Sequence, residues 1–356
     1  MTARLDLTVD DLAALMPGEP PYRARQVWRG LHQGRDPEAL TELPAALRAR
    51  LAADLPPALF LLRRSESDAG QTVKCQTVKW LWGLADGAAV ETVLMRYPDR
   101  ATVCVSSQAG CAMACSFCAT GQAGFTRHLT AGEIVEQVVR ARQEGKVTNL
   151  VFMGMGEPLA NYEATWAAVE RLHDELGFGA RHLTVSTVGV VPGIRRLAGE
   201  RLPVNLAVSL HAANDGLRDT LVPLNRRYPL RELMDACDTY LTAKGRRLSF
   251  EWALIDGVND RPSDAGELAA LATPLDAHVN LIPLNPTPGY ASRGTPPHRV
   301  RAFRDRLRAA GVNATVRRNR GTDIDAACGQ LAAVATTHVS PVPARLSRRG
   351  EQTPLL

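Results

Sequence analysis

The stretch Gly110-Cys111-Ala112-Met113-Ala114-Cys115-Ser116-Phe117-Cys118 gathers three thiols with C-x3-C-x2-C spacing. Iron–sulfur clusters are held by cysteine thiolates, and a [4Fe–4S] cube has four irons to ligate. Three protein ligands leave one iron open to bind and cleave something else. Structural zinc sites usually pair two knuckles of the C-x2-4-C or H-x3-5-H type. Here Cys115 and Cys118 form one such pair, His128 could complete a Cys3His set, and no second knuckle follows. Single unligated cysteines are common in cores, but three this close are not. The spacing favours a three-ligand cluster, with zinc as the alternative.

Other residues along the chain carry chemistry of their own. Glu91 sits among apolar neighbours in a strand-like run, where an ionised carboxylate is costly unless paired or functional. Cys104 and Ser106 share one face of a strand, opposite Val103 and Val105; taken alone, Cys104 reads as a core thiol. Cys328 lies in a polar segment beside Gly329, with Asp323 and Asp325 just before it. Arg317, Arg318 and Arg320 precede it, and nearby cations favour a thiolate; the same arginines are candidates for phosphate contacts. In Gly154-Met155-Gly156-Glu157-Pro158 the glycines permit close backbone approach to a ligand. Glu157 could accept a hydrogen bond from a ligand ammonium or hydroxyl. Cys75 and Cys237 match no motif and read as structural.

The elements that must position these groups follow from periodicity. An alternating pattern over Thr77 to Trp82 and Ala89 to Met95, broken at Asp86-Gly87, predicts a hairpin. Beyond it strands and helices alternate. Strand candidates are Thr102 to Ser107, Asn149 to Gly154, His182 to Thr187, Val204 to Leu210, Leu248 to Ile255 and Val279 to Leu284, with a further short one at Thr315 to Arg317. Helices are expected from Thr130, where Glu133 completes a capping box, and over Leu230 to Ala243. This alternation implies parallel strands joined by right-handed crossovers. In a barrel of such units, functional groups gather at the carboxyl ends of the strands, which is where the cysteine loop, Gly154 to Pro158, Ser186, Ser209, His211 and Asn285 fall. Residues 1–65 read as a small helical module with Leu12, Leu15, Val27, Trp28 and Leu31 at helical spacing. A linker is expected near Arg63 to Gly70.

The chain has 356 residues, 45% of them hydrophobic and 22% charged, as expected of a soluble globular protein. No apolar run approaches a membrane span, and the first residues lack the apolar run of a signal peptide. Seven unevenly spaced cysteines argue against a secreted disulfide framework, so the expected location is the cytoplasm. A net charge of +5 favours a polyanionic partner. Basic groups at Arg195-Arg196, Arg226-Arg227, Lys244 to Arg247 and Arg299 to Arg308 add to that, the last reading mainly as solvated helix surface.

The cysteine loop resembles the radical S-adenosylmethionine (SAM) superfamily. The surrounding motifs narrow the resemblance: Cys104-Val105-Ser106-Ser107-Gln108, Gly154 to Pro158, Ser209-Leu210-His211, and Asp323 to Leu331 around Cys328 are together similar to the RlmN/Cfr family of RNA adenine methyltransferases. The match runs from about Glu91 to Leu331. It implies an α/β fold, a partial (βα)6 radical SAM barrel in residues 98–335, preceded by the helical module (1–65) as an RNA-binding accessory domain and by a linker and β-hairpin extension (66–97), and followed by a tail (336–356). By resemblance Cys111, Cys115 and Cys118 hold a [4Fe–4S] cluster, and Gly156, Glu157, Ser186, Ser209, Leu210, His211 and Asn285 line the SAM pocket. Glu91 is the implied proton acceptor, Cys328 the cysteine that is methylated, and Cys104 its resolving partner in a transient disulfide. Two SAM molecules per turnover are implied, with 23S rRNA and tRNA as substrates and methylation at adenine carbon 2. A flavodoxin or ferredoxin would supply electrons, a thiol reductant would reset the cysteines, and a monomer without membrane attachment is expected. Methylation at carbon 8, as in the Cfr branch, and a non-catalytic zinc-dependent RNA-binding protein remain the alternatives.

Overall fold

The computed structural model describes residues 3–67, 76–317 and 321–332. Arg318, Arg320, Cys75 and the tail 336–356 lie outside them. One sheet of ten strands organises the molecule. It begins with an antiparallel meander, β1 (Phe60–Glu66), β2 (Thr77–Gly83) and β3 (Ala89–Arg96). Strand β4 (Ala101–Cys104) pairs antiparallel with β3 and starts the parallel part. The chain then makes a separate two-stranded ribbon, β5 (Gln108–Gly110) with β6 (Phe125–His128). Parallel strands β7 (Asn149–Phe152), β8 (Leu183–Thr187), β9 (Asn205–Ser209), β10 (Leu248–Leu254), β11 (His278–Pro283) and β12 (Ala314–Val316) follow in spatial order. β1 and β12 stand at opposite ends of the sheet, so the barrel stays open.

The helices are α1 (Val9–Ala14), α2 (Tyr22–His32) and α3 (Ala45–Asp54) in the N-terminal part. The one-turn α4 (Ala119–Gln122) follows the cysteine loop. The crossovers are α5 (Ala131–Arg142), α6 (Tyr162–Asp174), α7 (Val191–Gly199), α8 (Asp215–Leu221) with α9 (Leu230–Lys244), α10 (Pro262–Ala272) and α11 (Pro297–Ala309). Thr130 and Glu133 form the expected capping box on α5, whose Ile134, Val135, Val138 and Val139 are buried against the sheet. Gly245, left-handed at φ +55°, ends α9 where a side chain would be strained. Among the described residues no helix is long and apolar enough to cross a membrane.

Three sequence expectations change. Where a linker was expected near Arg63, β1 continues the sheet by pairing with β2. It is an edge strand with exposed Leu61 and Leu62, so it lacks the alternation that marks a half-buried strand. Leu15 is exposed and caps α1 rather than packing. The β5–β6 ribbon is not anticipated by the sequence reading, because strands this short leave almost no period-two signal.

The N-terminal helices dock on α5. Arg4 is buried and reaches Glu136 on α5 at 3.4 Å and Asp36 at 2.8 Å. The other oxygen of Glu136 accepts from the Ala58 amide at 2.9 Å. Burying these charges is tolerable because each is paired.

Candidate active site

The three thiols sit on the loop that the β5–β6 ribbon closes. Gly110 must be glycine: its φ is +74°, and a Cβ there would meet the Gly124 carbonyl oxygen at 2.0 Å. The Cys111 amide donates to that carbonyl at 2.7 Å. A left-handed Ala114 (φ +52°) turns the chain back before Cys115, and Cys118 caps α4. All three side chains line one cavity at the carboxyl ends of the parallel strands. They are free thiols within electrostatic reach of one another. Burial pushes Cys111 up to about 12, with Glu157 and Cys118 adding to it against a hydrogen bond from the Met113 backbone. Cys115 is pushed up by burial, then by Cys118 and Cys111. Such a group resists ionising alone and suits a bound metal centre, whose positive charge inverts that preference. Among the described residues no three His, Cys, Asp or Glu side chains converge as a single ion requires. A cube gives each thiolate its own iron, so the donor set fits a cluster. His128 lies exposed on β6 in contact with Gln108 and does not line the cavity.

The loop after β7 forms the next wall. Gly154 approaches β4 so closely that a Cβ would lie 2.6 Å from the Val105 carbonyl, and at Gly156 (φ +96°) it would lie 2.5 Å from Gln108 Cβ. Ser106 accepts from the Met155 amide at 2.9 Å and donates to the Glu91 carbonyl at 2.6 Å. Gln108 Oε1 accepts from the Glu157 amide at 2.8 Å. The Cys104 to Gln108 motif thus serves to seat Gly154 to Pro158. Glu157 is buried in the cavity wall and accepts from the Val188 and Leu159 amides at 2.8 and 3.0 Å. Burial pushes it up to about 7, against the pull of those two amides.

Ser186, Ser209, His211 and Asn285 line the same cavity; Leu210 is buried behind it. His211 is left-handed at φ +61°. Its Nδ1 accepts from the Ala253 amide at 3.0 Å, and its carbonyl accepts from Asn259 at 2.8 Å. Burial pushes it down to about 3, aided by the charge of Arg218, so the ring is neutral.

Sheet register puts Glu91 and Cys104 on one face, and Cys328 lies within electrostatic reach of Cys104. Val93 on β3 pairs with Lys79 on β2 and with Cys104 on β4, so these three share a face, and Glu91 lies two residues from Val93 on that same face. Buried Glu91 binds buried Lys79 at 2.9 Å and accepts from the Ala332 amide at 3.0 Å. Cys104 is pushed up to about 12 by burial, then by Cys328, while Arg317 opposes. Cys328 lines the cavity, its carbonyl held by Asn285 at 3.0 Å and the Gly329 carbonyl by the Ala119 amide at 2.8 Å. Cys237 is a buried thiol on α9 away from the cavity.

Arg317 meets the expectation of a cation beside Cys328. It follows β12, where Leu281 accepts its amide, and its side chain turns into the cavity beside Cys328 and Glu251. The neighbouring Cys328 raises its pKa most, against burial.

Two residues were missed by sequence reasoning. Arg218 on α8 is fully buried, and burial pushes it down to about 10. It donates to the carbonyls of Leu210 at 3.1 Å and Val188 at 2.6 Å and to Asn225 Oδ1 at 2.8 Å, tying the ends of β8 and β9 together. Leu221, one turn on, marks the same inward face and was the available signal. Lys79 was legible from the hairpin register about Asp86-Gly87.

The Radical SAM superfamily matches residues 105–269 of the chain. A protein of Parafrankia sp. named "Probable dual-specificity RNA methyltransferase RlmN" is 53% identical over 354 residues, covering 92% of this chain and 91% of that one. One of the same name from Moorella thermoacetica is 50% identical, covering 93% of this chain and 98% of that one. The chain belongs to the RlmN family. RlmN proteins are radical SAM RNA methyltransferases, and membership implies SAM and a [4Fe–4S] cluster. The crystal structure of a radical SAM methyltransferase from Sphaerobacter thermophilus, 53% identical, superposes on this RlmN-family chain with a TM-score of 0.88, covering 94% of this chain and 100% of that one. The superposition agrees with the open α/β barrel.

Proposed function

We propose that this protein methylates carbon 2 of a specific adenine in 23S rRNA and of the adenine next to the anticodon in tRNAs. The supporting observation is Cys328, in the cavity that the cysteine triad lines, within electrostatic reach of Cys104 and on a segment that Glu91 holds at Ala332. Cys111, Cys115 and Cys118 hold the cluster; Gly156, Glu157, Ser186, Ser209, Leu210, His211 and Asn285 enclose SAM. When bound, the cluster supplies the electron that cleaves SAM reductively, which lets one hydrogen be taken from a methyl group carried on Cys328.

The residues of the chain do the rest. Cys328, facing the Arg317 cation, takes the methyl group from a first SAM by displacement at carbon. After hydrogen loss that carbon bonds to the adenine, leaving one unpaired electron that the oxidised cluster, when bound, would take back, and Cys328 is joined to RNA. A radical route suits an amidine carbon, which is too poor a nucleophile to attack SAM itself. Glu91 accepts the ring proton. Cys104 attacks the Cys328 sulfur, breaking its bond to the methylene, which takes up a proton and leaves as the product methyl. Exchange of this kind needs a thiolate and neighbouring sulfurs. In this structure both cysteines are free thiols. A thiol reductant restores them, and a flavodoxin or ferredoxin supplies electrons to the cluster. The target base leaves its stack to enter. The protein acts in the cytoplasm as a monomer, with the N-terminal helices contacting RNA.

Cys328→Ala is expected to abolish methylation of the protein, and Cys104→Ala to trap an RNA–protein crosslink. Robust RNA turnover by Cys104→Ala would sink the resolving role. Mass spectrometry of digested RNA separates carbon 2 from carbon 8, and a carbon 8 product would move the protein to the Cfr type of activity.

A further inference from the structure

The segment that carries Cys328 is held from three sides. On the triad side the Ala119 amide donates to the Gly329 carbonyl at 2.8 Å and Thr120 Oγ1 donates to the Leu331 carbonyl at 2.5 Å. On the β11 side Asn285 holds the Cys328 carbonyl. The third side is an ion pair between two hairpin strands. Lys79 Nζ lies 2.9 Å from Glu91 Oε1, with the two side chains only 6% and 3% exposed. Each partner also grips the segment: Lys79 Nζ donates to the Asp325 carbonyl at 3.0 Å, and Glu91 Oε2 accepts from the Ala332 amide at 3.0 Å.

We propose that Lys79 is a positioning residue that ties the Cys328 segment to the Glu91 carboxylate, so that the methyl-bearing sulfur and the proton acceptor meet the target base as one unit. The register supports this. Lys79 lies opposite Val93 and diagonal to Glu91 on the hairpin, a separation that a long side chain spans. Its ammonium then has reach left for the Asp325 carbonyl, which the left-handed turn at Asp325 (φ +51°) presents. A buried lysine carries a desolvation cost that the ion pair alone need not offset. Its place at the junction of proton acceptor and methyl carrier gives that cost a use.

The proposal rests on the roles assigned above to Glu91 and Cys328. Lys79→Met keeps the stem and removes the charge. It is expected to leave methylation of Cys328 itself within about twofold, because the anchors from Ala119, Thr120 and Asn285 remain. RNA methylation should lose kcat on the order of a hundredfold with KM for RNA unchanged, the scale of one partner removed from a buried pair. Lys79→Arg should recover a large part of that loss. Unchanged RNA methylation in Lys79→Met overturns the proposal, and so does an equal loss in both steps. Failure of the wild-type protein to methylate Cys328 would instead sink the reading of the reaction. If Lys79→Met does not fold, Lys79→Met with Glu91→Gln removes both charges together. Amide exchange from Ala326 to Ala332 must then be about tenfold faster than in Glu91→Gln alone, the scale of one lost hydrogen bond; equal rates overturn the proposal.

Discussion

Asn285 Nδ2 donates to the backbone carbonyl of Cys328 at 3.0 Å. A side chain just past the end of β11 therefore sets the height of the cysteine proposed to carry the methyl group. Asn285→Ala leaves that carbonyl unpaired, at a cost of about 1–3 kcal/mol. The expected result is methylation of Cys328 slowed by about tenfold or more, read by intact-protein mass spectrometry. An unchanged rate would show that the hydrogen bond does not position the sulfur.

Arg218 joins the ends of β8 and β9 through three separate acceptors. A lysine has a single ammonium and cannot copy that planar fork. Arg218→Lys is expected to weaken SAM binding by about tenfold or more, since buried acceptors are left bare. Equilibrium binding of SAM to the reconstituted protein measures this, and near-normal affinity would refute the bracing role.

Gly156 combines φ +96° with only 2.5 Å from a built Cβ to Gln108 Cβ. Gly156→Ala must move Gln108, which holds the Glu157 amide. Loss of stability of about 1–3 kcal/mol is expected from the backbone strain, with loss of SAM affinity alongside it. Chemical denaturation checks the first and binding the second.

His32 supplies a pH test of stability. Burial pushes it down to about 4, opposed by its hydrogen bond to the Trp28 carbonyl and aided by the charge of Arg171. The unfolded chain binds this proton near pH 6.5 and the folded chain only near 4, so stability is full above about 6.5 and falls as pH drops through that window. The slope from this residue approaches about 1.4 kcal/mol per pH unit. Denaturant titrations between pH 4 and 7 should show a shallower slope in His32→Gln, and an identical slope would contradict neutral burial.

Much of the frame was legible because its signals are local. Every parallel strand proposed from alternation exists, most of them trimmed by one or two residues at an end. The capping box at Thr130 formed because its two partners are three residues apart. Edge strand β1 escaped because an edge need not alternate. The β5–β6 ribbon escaped because its strands are too short to show a period. Arg317 was legible as a cation for Cys328 from its place in the chain, but only the fold shows that its side chain turns into the cavity at the end of β12.

By itself the sequence determined the donor types and their local spacing: three thiols on one loop, a glycine turn that lets backbone come close, and strand periodicity that brings the motifs to one end of a sheet. These are properties of neighbouring residues, and periodicity reports them directly. Only the tertiary structure decided that Cys328 lies beside Cys104 and that its segment reaches Glu91 at Ala332, because 237 positions separate Glu91 from Cys328 and no periodic signal spans that distance. It also decided that Lys79 and Arg218, unremarkable charges in the chain, are buried. Whether a charge is costly or useful depends on what packs around it, and that is fixed only when the sheet closes over it.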